Sequence, residues 1–243
     1  MRFNLLRTLL LGACLTAGAA AHAKSNGGSK KMDPTMMTKA YTATYSAGPQ
    51  WKPNLPPDKQ DLGGHFGYVQ KLFDEGTLLA NGLLADGRGF YVFAVADAAV
   101  MDAILAGDPG IDSGVLKLDA AASWLLAFDN LSAGPKDAKL FVVNYRPGPS
   151  WRPRKPLSEQ DLGSHMSYVT GALGQGTLLG GGPVDAHHGR YVISAADDRA
   201  AAAWVDADPA VASGVFRGEI VRWQTFNRQK ARRSQASAAS TTR

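Results

Sequence analysis

Two histidines, two aspartates and two tryptophans stand in matched pairs along this chain. Each second member lies 100 positions after the first: His65 and His165, Asp108 and Asp208, Trp51 and Trp151. A histidine beside a carboxylate is suited to general acid–base chemistry, because the carboxylate fixes the tautomer and keeps the ring basic near neutral pH. The reaction this suggests is a proton taken and returned. That would be an isomerisation or elimination on a small cyclic or carboxylated organic molecule, with basic or backbone groups meeting a developing oxyanion. Each residue also has a plainer reading. A lone histidine is often half-buried and bonded to backbone, and an aspartate before proline often fixes its own turn. A tryptophan in a proline-rich loop often pins that loop to the body instead of covering a ligand.

Asp86 and Asp185 lie in turns, and with Trp51 and Trp151 they are the candidate ligand-binding residues. His187 and His188 beside Asp185 are metal-ligating types that His165 could join. Adjacent histidines in a turn are commonly just exposed, however, and the first copy has none, so no metal site is expected. Gly181-Gly182-Pro183 is not a phosphate loop, since no helix start follows it. No cofactor is implied, and the expected partner is a small molecule.

The elements that must position these residues are written twice. Tyr45-Ser-Ala-Gly-Pro-Gln-Trp51 returns as Tyr145-Arg-Pro-Gly-Pro-Ser-Trp151, Gln60-Asp-Leu-Gly-Gly-His65 as Gln160-Asp-Leu-Gly-Ser-His165, and Gly76-Thr-Leu-Leu79 as Gly176-Thr-Leu-Leu179. In each copy a β-rich run (40–45, 140–145) leads through a proline-rich loop to a helix. Asp58 or Ser158 is the expected cap, and the apolar stripe is Leu62, Phe66, Val69, Phe73 or Leu162, Met166, Val169, Leu173. His65 and His165 sit about 60° off that stripe, at the boundary between sheet and solvent. Two strands follow, then a second helix from Asp97 or Asp197 that ends at Asp-Pro, then a last strand.

The order β-α-β-β-α-β is the ferredoxin-like pattern. Such a unit has helices on one sheet face only, and its bare face must be covered. The expectation is α+β: two tandem ferredoxin-like units packed sheet to sheet, a monomeric pseudo-dimer of the dimeric α/β-barrel type. In that topology the tryptophan loop, the first turns of helix 1, the Asp86 turn and the Asp-Pro segment share one end of the unit.

The expected organisation is 1–23 signal peptide, 24–39 flexible leader, 40–132 first domain, 133–138 linker, 139–227 second domain and 228–243 basic tail. Arg2 and Arg7, a short apolar run and Ala21-His22-Ala23 make the export signal, with cleavage before Lys24 and a periplasmic or secreted product. Leu11-Gly-Ala-Cys14 loosely resembles a lipoprotein box, although the apolar run before it is very short. That run is also too short to span a bilayer, so no transmembrane segment is expected. Cys14 is the only cysteine; the mature chain would lack thiol chemistry and disulfides and must rely on its core. Of 26 Lys+Arg, two fall in the signal and five in the tail, leaving 19 against 21 Asp+Glu, so nucleic-acid binding is not expected.

The run Trp204-Val-Asp-Ala-Asp-Pro-Ala-Val-Ala-Ser-Gly-Val-Phe216 resembles the signature of the YCII-related domain family. So do His165, Gly176-Thr-Leu-Leu-Gly-Gly-Gly-Pro183 and Trp151-Arg-Pro-Arg-Lys-Pro156, and the first copy resembles it through His65, Gly76–Gly82 and Asp108–Val115. The resemblance implies a ferredoxin-like fold that pairs into an α/β barrel, and a His/Asp site at His65 with Asp108 and His165 with Asp208. Some relatives are dehydrochlorinases or resemble muconolactone isomerases. The alternative function is a non-catalytic small-molecule-binding or structural module.

Overall fold

β-branched and aromatic residues open each half with a strand, and the computed structural model describes residues 38–95, 97–126, 131 and 138–228. The expected signal segment, the leader up to residue 37, the linker 133–137 and the tail beyond Arg228 lie outside the described residues. The first half runs β1 (Thr38–Ala47), α1 (Gly63–Asp74), β2 (Leu78–Leu84), β3 (Gly89–Phe93), α2 (Ala98–Ala106), α3 (Pro109–Asp112) and β4 (Leu116–Leu126). The second runs β5 (Lys139–Pro147), α4 (Gly163–Gly174), β6 (Leu178–Pro183), β7 (Gly189–Ala195), α5 (Asp198–Asp206), α6 (Pro209–Ala212) and β8 (Phe216–Arg228). The fold is α+β and ferredoxin-like.

Two local expectations change. The α-helix of each half begins later than expected, because Pro57–Lys59 and Leu157–Glu159 form separate 3₁₀ turns. Asp58 and Ser158 therefore fall in those turns; Leu62 and Leu162 hold the N-cap positions and supply no side-chain acceptor. The second change concerns Asp-Pro, which does not simply end a helix. Asp108 and Asp208 each accept from the backbone N–H two residues on, capping α3 and α6, with Pro109 and Pro209 as the first helical residue.

The eight strands form one antiparallel sheet in the order β4-β1-β3-β2-β8-β5-β7-β6. Two separate four-stranded sheets were expected, but β2 and β8 are hydrogen-bonded edge to edge, with Leu84 opposite Trp223 and Ala80 opposite Arg228. Gly82 permits the join: a Cβ there would lie 2.1 Å from the Gln224 carbonyl oxygen. The sheet curls until its two end strands, β4 and β6, come close. Its inner face then encloses a core drawn from both halves, including Phe90, Val92 and Trp124 with Val142, Val192 and Trp223. The two bare faces are thus buried against each other within one curled sheet.

Arg190 on β7 ties this interior together. Its Nη1 donates to Thr42 Oγ1 at 2.6 Å, its Nε donates to Asn144 Oδ1 at 2.8 Å, and its guanidinium lies 5.3 Å from the centre of the Phe90 ring. Trp124 Nε1 donates to the Arg190 carbonyl at 3.2 Å. The helices cover the outer face over two further cores, one containing Val69, Phe93 and Met101, the other Val169, Ile193 and Phe216.

Candidate functional site

His165 comes from the first turn of α4 and Asp208 from the cap of α6, and the packing of α4 against α6 brings them together. His165 Nδ1 lies 2.7 Å from Asp208 Oδ2, while Asp208 Oδ1 accepts the Ala210 N–H at 2.9 Å. Asp208 therefore makes two contacts at once: one oxygen fixes the turn and the other meets the imidazole. A carboxylate accepts, so Nδ1 donates, and in the neutral imidazole Nε2 carries the lone pair. Nε2 lies 3.1 Å from the Tyr191 hydroxyl on β7, which in that tautomer donates to it. The result is a chain of three side chains: Asp208, His165, Tyr191.

The first half repeats it. His65 Nδ1 lies 2.8 and 2.9 Å from the two oxygens of Asp108, and Nε2 lies 2.9 Å from the Tyr91 hydroxyl. Asp108 Oδ1 accepts the Gly110 N–H at 2.9 Å. The histidines are not at a boundary. His65 is 2% and His165 3% exposed, whereas Phe66 of the expected stripe is 51% exposed. The buried face of α1 is His65, Val69 and Leu72, and that of α4 is His165, Val169 and Ala172. An imidazole can occupy the centre of an apolar face when both its nitrogens are hydrogen-bonded.

Tyr91 and Tyr191 were not among the residues singled out from the sequence. They are 100 positions apart, as are Tyr45 and Tyr145, so the signal that marked the histidines marked them too. Tyr145 packs edge-on against His165 at 5.5 Å and against Tyr191 at 5.5 Å. Burial first, then the Asp208 carboxylate, pushes the phenols of Tyr145 and Tyr191 above the ordinary range. In the first half burial pushes Tyr91 up to about 12.

The halves differ beneath the tyrosine. Position 81 is Asn and position 181 is Gly, each opposite its tyrosine in the strand pair. A Cβ on Gly181 would lie 1.9 Å from Cδ1 of Tyr191, so the ring leans over the glycine. Over Asn81 that position is taken, and the interplanar angle between histidine and tyrosine falls from 70° at Tyr191 to 34° at Tyr91.

A cavity of about 550 Å³ opens beside the second chain of residues, lined by His165, Tyr191, Phe216, Met166, Leu162 and Pro183 among others. Its rim is strapped: the Leu157 N–H donates to the Ala186 carbonyl at 2.8 Å, joining the 3₁₀ turn to the β6–β7 turn. The equivalent of Leu157 is Pro57, which has no N–H to give. Gln160 is buried and holds the tryptophan loop, its amide bonding both the N–H and carbonyl of Arg152 and the carbonyl of Lys155. Gln60 does the same with Lys52 and Leu55.

The other candidates fall around this centre. Asp185 lines the cavity and accepts the N–H groups of His187 and His188 at 2.7 and 2.8 Å. Partial burial raises its carboxyl, but these bonds and the His188 ring outweigh that and leave it below the usual range. Asp86 is exposed and pairs with Arg88 at 2.6 Å in its own turn. Trp151 packs on Phe216 at 5.9 Å and His187 at 6.0 Å, behind the cavity wall, and Trp51 is half-buried in the matching loop. Among the described residues, no three His, Cys, Asp or Glu side chains converge as metal ligands, and no helix is long and apolar enough to cross a membrane.

Residues 142–224 match the YCII-related domain. That YCII-related segment runs from β5 to β8 and contains His165, Tyr191 and Asp208. No curated protein matches the chain. Two solved structures are similar at low level. One is described as a "putative monooxygenase from Lactobacillus acidophilus NCFM", with TM-score 0.41 and 11% identity over 77% of this chain and 94% of that one. The other is an "anthrone oxidase-like protein", with TM-score 0.41 and 10% identity over 83% of this chain and 97% of that one. Likeness at this level has no bearing on what this chain does.

Proposed function

We propose that the YCII-related half is a cofactor-free proton-transfer site of the isomerase or lyase type, acting on a small organic molecule. The observation that carries this is the Asp208–His165–Tyr191 chain at the wall of an apolar cavity. A substrate proton would pass to the Tyr191 oxygen as the tyrosine's own proton passes to His165 Nε2, and Asp208 would hold the resulting imidazolium. His165 and Asp208 are the catalytic pair in this reading. His65 and Asp108 are its counterparts in a second YCII-like copy over 40–132, supported by the repeated element order and the 100-residue offset. The β2–β8 join supports a monomer built as a pseudo-dimer. The signal-like residues 1–23 support export to the periplasm or beyond.

A second reading has its own support. The first half makes the same bonds over Asn81, with Pro57 in place of the strap residue, so the His–Asp–Tyr chain also serves as a buried structural tie. The first half is then a supporting module. A thermal-shift screen of small metabolites on the mature chain tests the enzymatic reading. Hits should stabilise the wild type and fail on His165→Asn, while His65→Asn keeps the response. Loss of response in the His65 variant alone would contradict this assignment.

A further inference from the structure

We infer that the cavity beside His165 takes an uncharged, mostly apolar ring compound that donates a hydroxyl proton, and that it rejects carboxylates and phosphates. This rests on reading that cavity as the ligand site. The direction of the hydrogen bonds decides the matter. With a neutral imidazole, Asp208 accepts from Nδ1 of His165, Nε2 accepts, and it takes the single proton of Tyr191. The Tyr191 oxygen is left with lone pairs only. At the cavity wall it is an acceptor looking for a donor. A hydroxyl can satisfy it, and a carboxylate cannot.

The rest of the lining agrees. Among the described residues, no lysine or arginine lines the cavity. Arg190, next to Tyr191 in the strand, is on the opposite sheet face, bonded to Thr42 and Asn144. Lys155 is paired with Glu159 at 2.6 Å. Gln160 lines the cavity, but its amide is spent on the tryptophan loop. The one carboxylate in the lining is that of Asp185, which sits at the rim beside the His188 ring; Asp208 lies behind the imidazole, outside the lining. An anion entering would lose its water and meet a carboxylate, with no lysine or arginine of the lining to offset it. That costs more than it recovers. The remaining surface, chiefly Leu157, Leu162, Met166, Pro183 and Phe216, suits an apolar ring, and the volume has room for about two fused rings.

One feature favours negative charge, and its size fits the proposal. Gly163, at the start of α4, lines the cavity, and that helix has no side-chain cap. Helix-start amides carry about half a positive charge. That suffices to offset an oxyanion formed after the hydroxyl proton has moved to Tyr191, whereas a carboxylate must enter already charged, past Asp185.

The test uses the mature full-length chain, isothermal titration at mildly alkaline pH, and naphthol against naphthoate as probes. Naphthol should bind at least about tenfold more tightly than naphthoate. Tyr191→Phe should weaken naphthol about fivefold or more, with near-ultraviolet circular dichroism reporting whether it folds. Met166→Trp, which fills the cavity and leaves the three polar residues intact, should abolish binding. Naphthoate binding as tightly as naphthol, or neither probe binding the wild type, overturns the inference. If naphthoate binds and His165→Asn removes it, the ligand class is wrong but the site reading stands. If naphthol binds the wild type and His165→Asn equally, the site reading itself fails.

Discussion

The Tyr191 hydroxyl meets Nε2 of His165 across 3.1 Å, on the ring edge opposite the 2.7 Å contact with Asp208, so that with a neutral imidazole the tyrosine donates and Nε2 accepts. This relationship sets a polarity through three buried side chains, and several consequences can be measured.

Asp208→Asn should reverse that polarity. The new carboxamide oxygen keeps the Ala210 N–H, which leaves its NH₂ facing Nδ1. The ring must then carry its proton on Nε2, and Tyr191 must accept. Nitrogen-resolved NMR of the His165 imidazole should report the exchanged tautomer, and any activity should fall by about 10²-fold or more. An unchanged tautomer would count against the assignment.

His165→Gln should destabilise more than His165→Asn. Asparagine can place an amide near the Nδ1 position, whereas glutamine reaches towards Tyr191 and leaves Asp208, 0% exposed, short of a donor. A difference of about 1–3 kcal/mol in chemical denaturation is expected. Equal stabilities would mean that the Asp208 contact contributes little.

Gly181→Ala should cost about 1–3 kcal/mol, because its methyl overlaps the Tyr191 ring. Ligand response should fall with it. Asn81→Gly should leave any response of the second half intact.

Residues 40–132 expressed alone should dimerise, aggregate or fail to fold. In isolation β2 loses its β8 partner, Trp124 loses the Arg190 carbonyl, and the inner core loses Leu140, Val142, Leu179, Val192 and Trp223. Sedimentation and denaturation of the fragment check this, and a soluble, cooperatively folded monomer would refute it.

Stability should drop steeply in alkali. Burial pushes Tyr91 up to about 12 and raises Tyr45, Tyr145 and Tyr191 as well. An unfolded tyrosine releases its proton near pH ~10. Between about pH 10 and 12 the unfolded state therefore binds fewer protons, and stability falls by about 1.4 kcal/mol per unit for each such residue. It is fully present below about pH 10. A denaturation midpoint that is flat across that window would contradict the burial of these phenols.

The histidines, their aspartates and the order of elements were legible because a constant offset of 100 positions marks them and because caps, prolines and alternation are local signals. The tyrosines carried the same mark, but an aromatic in a strand is read first as core. The depth of His65 and His165 was not legible, since a polar residue looks exposed until both its partners are known. The late start of α1 and α4 was hidden by the plausible caps Asp58 and Ser158, which the 3₁₀ turns absorb. The β2–β8 join depends on strands more than 130 residues apart, and nothing in either strand names its neighbour.

The ring of strands has one clasp. β2 and β8 are zipped by hydrogen bonds, while β4 and β6 stand side by side as the free ends of the order. Two identical chains closing a circle would make two identical joints; a single chain is free to keep one tight and one slack. Gly182 and Pro183, at the slack joint, belong to the cavity wall beside His165, whereas Gly82 is locked into the clasp. The unzipped joint therefore lies next to the second histidine, and the zipped one belongs to the strand that carries Gly82.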